Sequence, residues 1–207
     1  MIKNIVFDIG NVILNFDIKR VLKEYTSDSN TRKFILDNII NSPEWLGNAL
    51  IDTGYLKVED AIKIVCDRTN HINDKVIIDF WTTYLNYAYI DKKLLELIIK
   101  LKENGYHIYL LSNINPYTYN YILEKSNLFN IVDGYVLSYQ VHMIKPYQGI
   151  YKELLQKFAL EATETLFIDD NLNNIKTACI LNIKGIKVKP DNYQDIEDKL
   201  KKKNIKF

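Results

Sequence analysis

The sequence predicts an α/β fold, a doubly wound parallel sheet with a small helical cap inserted after its first strand. Two observations carry this. Short apolar runs bounded by polar or glycine residues alternate with segments of helical period, and one long interval breaks the alternation with helical patterns alone.

Ile5 to Phe7 reads as the first buried parallel strand. From about Asp17 to Tyr89 the apolar residues fall at helical spacing: Val21 and Leu22, then Phe34, Ile35 and Ile39, then Val58 to Val65 and Val76 to Leu85. The expected division is therefore a cap at 17–89 and an α/β core at 1–16 and 90–207. Pro43, Gly47 and Gly54 mark turns inside the cap, and Asp52, Gly54 and Asp60 suggest a turn followed by a capped helix start. Beyond the cap, Leu94, Leu95, Leu97, Ile98 and Leu101 give Lys92 to Glu103 an apolar helical face. Strands are then expected at Ile108 to Leu111, Tyr135 to Leu137, Leu166 to Ile168 and Ile186 to Val188, with helices over Tyr147 to Phe158 and Asn171 to Leu181.

Composition narrows the function classes. The 207 residues carry 27 basic and 26 acidic side chains, so no global field draws the chain to nucleic acid or to an anionic membrane, and neither is expected as a partner. Cys66 and Cys179 lie far apart, and His71, His107 and His142 are scattered, which excludes a disulfide framework or a zinc site as the expectation. The N-terminal apolar run is interrupted by Asp8, too early for a signal-peptide core or a bilayer span, and a cytoplasmic monomer or homodimer is expected.

In a parallel α/β sheet, ligands bind at the carboxyl ends of the strands. Asp8, Gly10 and Asn11 follow the first strand; Ser112 and Asn113 follow the second; Lys145 and Pro146 come later; Asp169, Asp170 and Asn171 follow the fourth. Clustered carboxylates with no soft ligands nearby make a hard oxygen site suited to Mg²⁺. A lysine and a hydroxyl aimed at the same place would hold phosphate oxygens, which points to phosphoryl transfer to an acidic nucleophile. The expected partner is a small-molecule phosphate ester.

The order and spacing of these segments resemble the four motifs of the haloacid dehalogenase-like superfamily: Phe7-Asp8-Ile9-Gly10-Asn11-Val12, Leu110-Leu111-Ser112-Asn113, Lys145-Pro146, and Phe167-Ile168-Asp169-Asp170-Asn171. The resemblance implies a Mg²⁺-dependent phosphatase working through an aspartyl phosphate. It casts Asp8 as nucleophile and metal ligand, the Gly10 carbonyl and Asp170 as further ligands, and Asp169 as support for the metal shell. Ser112, the Asn113 amide and Lys145 would bind phosphate together with the Gly10–Asn11 segment, and Asn174 would reach the metal only through water.

Most phosphatases of the superfamily carry a second acid where this chain has Gly10, a group that protonates the leaving oxygen and then activates water. Metal-independent dehalogenases lack that acid too, but they generally lack the paired acids that Asp169 and Asp170 provide here. A catalytically impaired phosphate- or metal-binding module is the other alternative. The Gly10 form, followed by Asn15-Phe16-Asp17 and Arg20-Val21-Leu22, resembles bacterial α-glucose-1-phosphate phosphatases and the phosphatase domain of epoxide-hydrolase-like proteins, which implies a sugar phosphate such as glucose 1-phosphate as substrate. Trp45 and Trp81 are expected in core packing, and His142 and Asp17 are weak substitutes for the missing acid.

Overall fold

A computed structural model of the chain describes residues 1–45 and 49–207; the turn expected at Gly47 lies outside the described residues. The chain runs β1 (Asn4–Phe7), β2 (Leu14–Asn15), α1 (Ile18–Tyr25), α2 (Ser29–Ile35), a π-turn (Leu36–Ile40), α3 (Ala49–Asp52), α4 (Val58–Arg68), α5 (Asp74–Thr83) and a 3₁₀ turn (Tyr84–Tyr87). It continues through β3 (Tyr89–Ile90), α6 (Lys92–Glu103), β4 (His107–Ser112), α7 (Pro116–Lys125), α8 (Leu128–Ile131), β5 (Gly134–Leu137) and α9 (Ser138–Val141). The last elements are α10 (Gln148–Lys157), β6 (Thr165–Asp169), α11 (Leu172–Ile180), β7 (Lys184–Lys187) and α12 (Tyr193–Lys202).

Five strands form one parallel sheet in the order β5-β4-β1-β6-β7. The central strands are apolar through their middle positions because both faces are covered. Ile5, Phe7, Ile108, Leu110, Leu166 and Ile168 point into one apolar cluster, which also takes in α6 and the cap helices. Val6, Tyr109, Leu111 and Phe167 point into a second, built with α10 and α11. That alternation is the period-two geometry of a strand.

The cap is helical, as expected, with one addition. The chain leaves and re-enters the core through a short antiparallel ribbon in which Leu14 faces Ile90 and Asn15 faces Tyr89. Two residues per strand leave no alternation to read, and Tyr89, expected to close a helical interval, sits in this ribbon. Trp45 packs edge-on against Trp81, centroids 4.6 Å apart, and against Tyr84 at 5.1 Å, so both tryptophans are cap core. No helix among the described residues is long and apolar enough to cross a membrane.

Candidate active site

β1 lies between β4 and β6, so the residues that follow these three strands share one edge of the sheet. Asp8 directly follows β1, and its backbone N–H still donates to the Ile168 carbonyl of β6, so the carboxylate projects from the last paired position. Ser112 closes β4 and Asp169 closes β6. Lys145 arrives from the loop between α9 and α10, where the Asn113 side chain clamps its peptide: Oδ1 accepts from the Lys145 N–H at 2.8 Å and Nδ2 donates to the Lys145 carbonyl at 3.0 Å. The Lys145–Pro146 peptide is cis.

Three donors converge on one oxygen of Asp8. The Ile9 N–H and the Ser112 hydroxyl each donate to Oδ1 at 2.7 Å, and Lys145 Nζ lies 2.8 Å from it. None of the described residues donates to Oδ2. The same ammonium reaches Asp169 Oδ2 at 2.7 Å, with the Lys145 side chain 1% exposed and that of Asp169 fully buried. Asp169 is saturated, since the Asn171 N–H donates to Oδ1 at 2.7 Å and Asn174 Nδ2 donates to both oxygens at 2.9 and 3.1 Å. The Asn174 amide thus serves Asp169, where a carboxylate in its place would repel that acid.

Asp170 stands apart from that saturation: it is half-buried, and Asn11 Nδ2, which a left-handed backbone (φ 56°) aims at it, donates to it over a long 3.4 Å. One oxygen from each of Asp8, Asp169 and Asp170 lies within 4.8 Å of the others. Burial, opposed by the Lys145 ammonium and reinforced by the Asp169 charge, pushes the Asp8 carboxyl up to about 7. Burial first, then the Asp169 charge, raises Asp170 as well. Burial alone would lower Lys145, but the two carboxylates outweigh it and hold the ammonium charged. Three acids against one ammonium leave two formal negative charges uncompensated, and the donors are all oxygens: the group fits a divalent hard cation.

Beside the carboxylates, a cavity of about 190 Å³ runs between the core loops and the cap. Gly10, Asn11 and Asn113 stand at its catalytic end, and a Cβ built on Gly10 would meet nothing within 4 Å. Asp52, Tyr84, Asn115 and Thr118 line it as well, and these the sequence did not bring together, because no local pattern links α3, the 3₁₀ turn and the start of α7. His142 is engaged elsewhere, its Nδ1 donating to the Thr53 carbonyl at 2.7 Å, and Asp17 caps α1 by accepting from the Lys19 N–H.

Comparison with known proteins agrees with this geometry. D-ribitol-5-phosphate phosphatase of Bacteroides thetaiotaomicron is 28% identical over 97% of this chain and 97% of its own. The sesquiterpene phosphatase astK of Aspergillus oryzae is 24% identical over 89% of this chain and 88% of its own. A crystal structure of a haloacid dehalogenase-family enzyme from Bacteroides thetaiotaomicron, in complex with magnesium and inorganic phosphate, superposes with a TM-score of 0.76 at 25% identity, covering 95% of this chain and 99% of that one. The family profile of haloacid dehalogenase-like hydrolases matches residues 2–178, and the chain belongs to that family of hydrolases.

Proposed function

We propose that this protein is a Mg²⁺-dependent phosphatase of small sugar or alditol phosphates, with Asp8 as the nucleophile. The observation that carries the reading is the asymmetry at Asp8: three donors hold Oδ1 and none of the described residues donates to Oδ2. An oxygen so left, on a carboxylate whose orientation is fixed, is placed to attack phosphorus in line. The Asn113 segment, and the Ser112 hydroxyl once it turns from Asp8, would hold phosphate oxygens, while Lys145 offsets the charge that builds up as Asp8 and the phosphate approach.

Asp8, Asp170 and the Gly10 carbonyl would hold the cation, which when bound neutralises phosphate charge and polarises the phosphorus–oxygen bonds. Asp169, already saturated, fixes Lys145 between itself and Asp8. Attack by Oδ2 forms the aspartyl phosphate as the ester oxygen departs, and water then releases phosphate. The carboxylate trio argues against metal-independent dehalogenation, because its three charges exceed what the single Lys145 ammonium offsets.

Gly10 supplies no proton to the departing oxygen, which suits an anomeric phosphate, whose leaving hydroxyl is more acidic than an ordinary alcohol. The Bacteroides relative is named for a primary phosphate of a polyol. Both are polyhydroxylated phosphomonoesters, and that is the substrate class. Phosphate release from p-nitrophenyl phosphate, glucose 1-phosphate, glucose 6-phosphate and ribitol 5-phosphate, measured with Mg²⁺ and with EDTA, tests the reading. Release from the sugar or alditol esters that disappears in EDTA is expected; no release from any ester, or equal release in EDTA, contradicts it.

A further inference from the structure

The cavity beside Asp8 is mixed in character. Leu14, Phe16, Leu85 and Ile114 give it apolar walls, and four polar side chains break them: Asp52, Tyr84, Asn115 and Thr118. Asp52 is 4% exposed, Tyr84 2% and Asn115 1%, so these groups are withheld from bulk water around one cavity. Their mutual proximity shows in the Tyr84 hydroxyl, whose proton is held more tightly than usual: burial is the main cause, the Thr118 and Asn115 side chains oppose it, and the Asp52 charge adds to it. A volume of about 190 Å³ is below the roughly 300–1,000 Å³ typical of drug-sized ligands, and fits a short carbon chain.

Asp52 is fixed relative to the phosphate end. The turn after α3 has Gly54 in the left-handed region (φ 74°), so close to the core that a Cβ there would lie 2.8 Å from the Tyr139 carbonyl of α9. From the same core segment, His142 donates to the Thr53 carbonyl and stacks on Tyr55 at 5.0 Å. The Asn115 side chain is held in turn by capping α7, where it accepts from the Thr118 N–H at 3.0 Å.

We propose that Asp52 and Tyr84, from the cap, together with Asn115 and Thr118, from the start of α7, form a subsite for the hydroxyl groups of the leaving alcohol, and that Asp52 determines selectivity for polyhydroxylated esters. The proposal rests on the phosphatase reading and names the side chains behind its substrate class. An acidic acceptor, a phenol, an amide and a hydroxyl between apolar walls match the alternation of C–H and O–H groups along a polyol. A site whose polar groups bond hydroxyls favours an ester that carries them over one that does not.

The test compares three primary alkyl phosphates: ribitol 5-phosphate and glucose 6-phosphate, which carry hydroxyls, and propyl phosphate, which has a similarly poor leaving group and none. The readout is the ratio of kcat/KM for the better polyol ester to that for propyl phosphate, in wild type, Asp52→Asn and Tyr84→Phe, with circular dichroism melts on each. A wild-type ratio of at least about ten is expected, falling roughly tenfold or more in Asp52→Asn and several-fold in Tyr84→Phe. Tyr84→Phe keeps the ring packing and so reads the subsite even where Asp52→Asn fails to fold. A wild-type ratio near one, or a ratio that neither variant alters, overturns the subsite while leaving the phosphatase reading intact; an unaltered ratio with both rates lowered marks Asp52 as a proton donor instead. A wild-type protein that hydrolyses none of the three esters, nor p-nitrophenyl phosphate, overturns both.

Discussion

Replacing Lys145 by Met removes the ammonium shared by Asp8 and Asp169 while keeping most of its volume. The bonds lost are 2.8 and 2.7 Å long, and the lysine side chain is 1% exposed, so water does not take its place. Removing one partner from a buried ion pair costs about 3–5 kcal/mol, which in a domain of this size is roughly 6–20 °C of Tm. The loss depends on pH. Asp8 already holds its proton up to about 7 in the folded protein, and without Lys145 it holds it to higher pH still. A carboxyl raised above its unfolded value lets the folded state bind the extra proton, so stability is fully present below about 4 and falls as pH rises through the folded value. At pH 8 in EDTA the full penalty is expected. At pH 5, where Asp8 is protonated in both proteins and only the Asp169 pair is lost, about half of it remains. Urea denaturation followed by circular dichroism at both pH values measures this. A variant as stable as wild type at pH 8, or a deficit that grows towards pH 5, would refute the charge balance described for the site.

Other consequences are open to direct measurement. Gly10→Asp meets no obstacle, since a Cβ there has open space, so Tm within about 2 °C of wild type is expected; the new acid should raise kcat on propyl phosphate relative to p-nitrophenyl phosphate by about a hundredfold, and no rise would show that another group already donates the proton. Asp133 accepts from Lys102 Nζ at 2.8 Å and from the Ile108 N–H at 2.7 Å; burial would raise its pKa, but these bonds outweigh it and hold the carboxyl below the usual range. Its stabilisation is therefore present above about pH 4 and lost as pH falls through the folded value. Asp133→Asn should cost about 1–2 kcal/mol at pH 7 and progressively less as pH falls below about 4, as read by denaturant melts. Gly54→Ala forces a side chain into a left-handed turn against the Tyr139 carbonyl, and a loss of about 1–3 kcal/mol is expected in the same assay.

The parallel sheet was legible because its central strands are buried on both faces and read as unbroken apolar runs. The edge was less so. β7 flanks Gly185 and Ile186 with exposed lysines, Lys184 and Lys187, so the apolar signal at Ile186 to Val188 is displaced from the paired residues. Asp8, Ser112 and Asp169 could be singled out because each stands at or directly after a strand end, where topology gathers residues from distant parts of the chain, whereas Lys145 lies beyond α9 and was singled out by its motif with Pro146. Asn113 and Asn174 were legible only as positions. That one clamps the lysine loop and the other serves Asp169 depends on side-chain directions that spacing does not encode. The cavity is a tertiary product, in which Asp52 reads locally as a turn residue, Tyr84 as helix core and Asn115 as a cap.

Capture of the phosphorylated protein bears most directly on the assignment of Asp8. Wild-type enzyme mixed with Mg²⁺ and p-nitrophenyl phosphate, quenched in acid within one turnover and digested, should show one added phosphoryl unit on the peptide containing Asp8, removable by hydroxylamine. Asp8→Asn should show none and release no phosphate. A phosphorylated peptide elsewhere in the chain, or undiminished phosphate release by Asp8→Asn, would contradict the account.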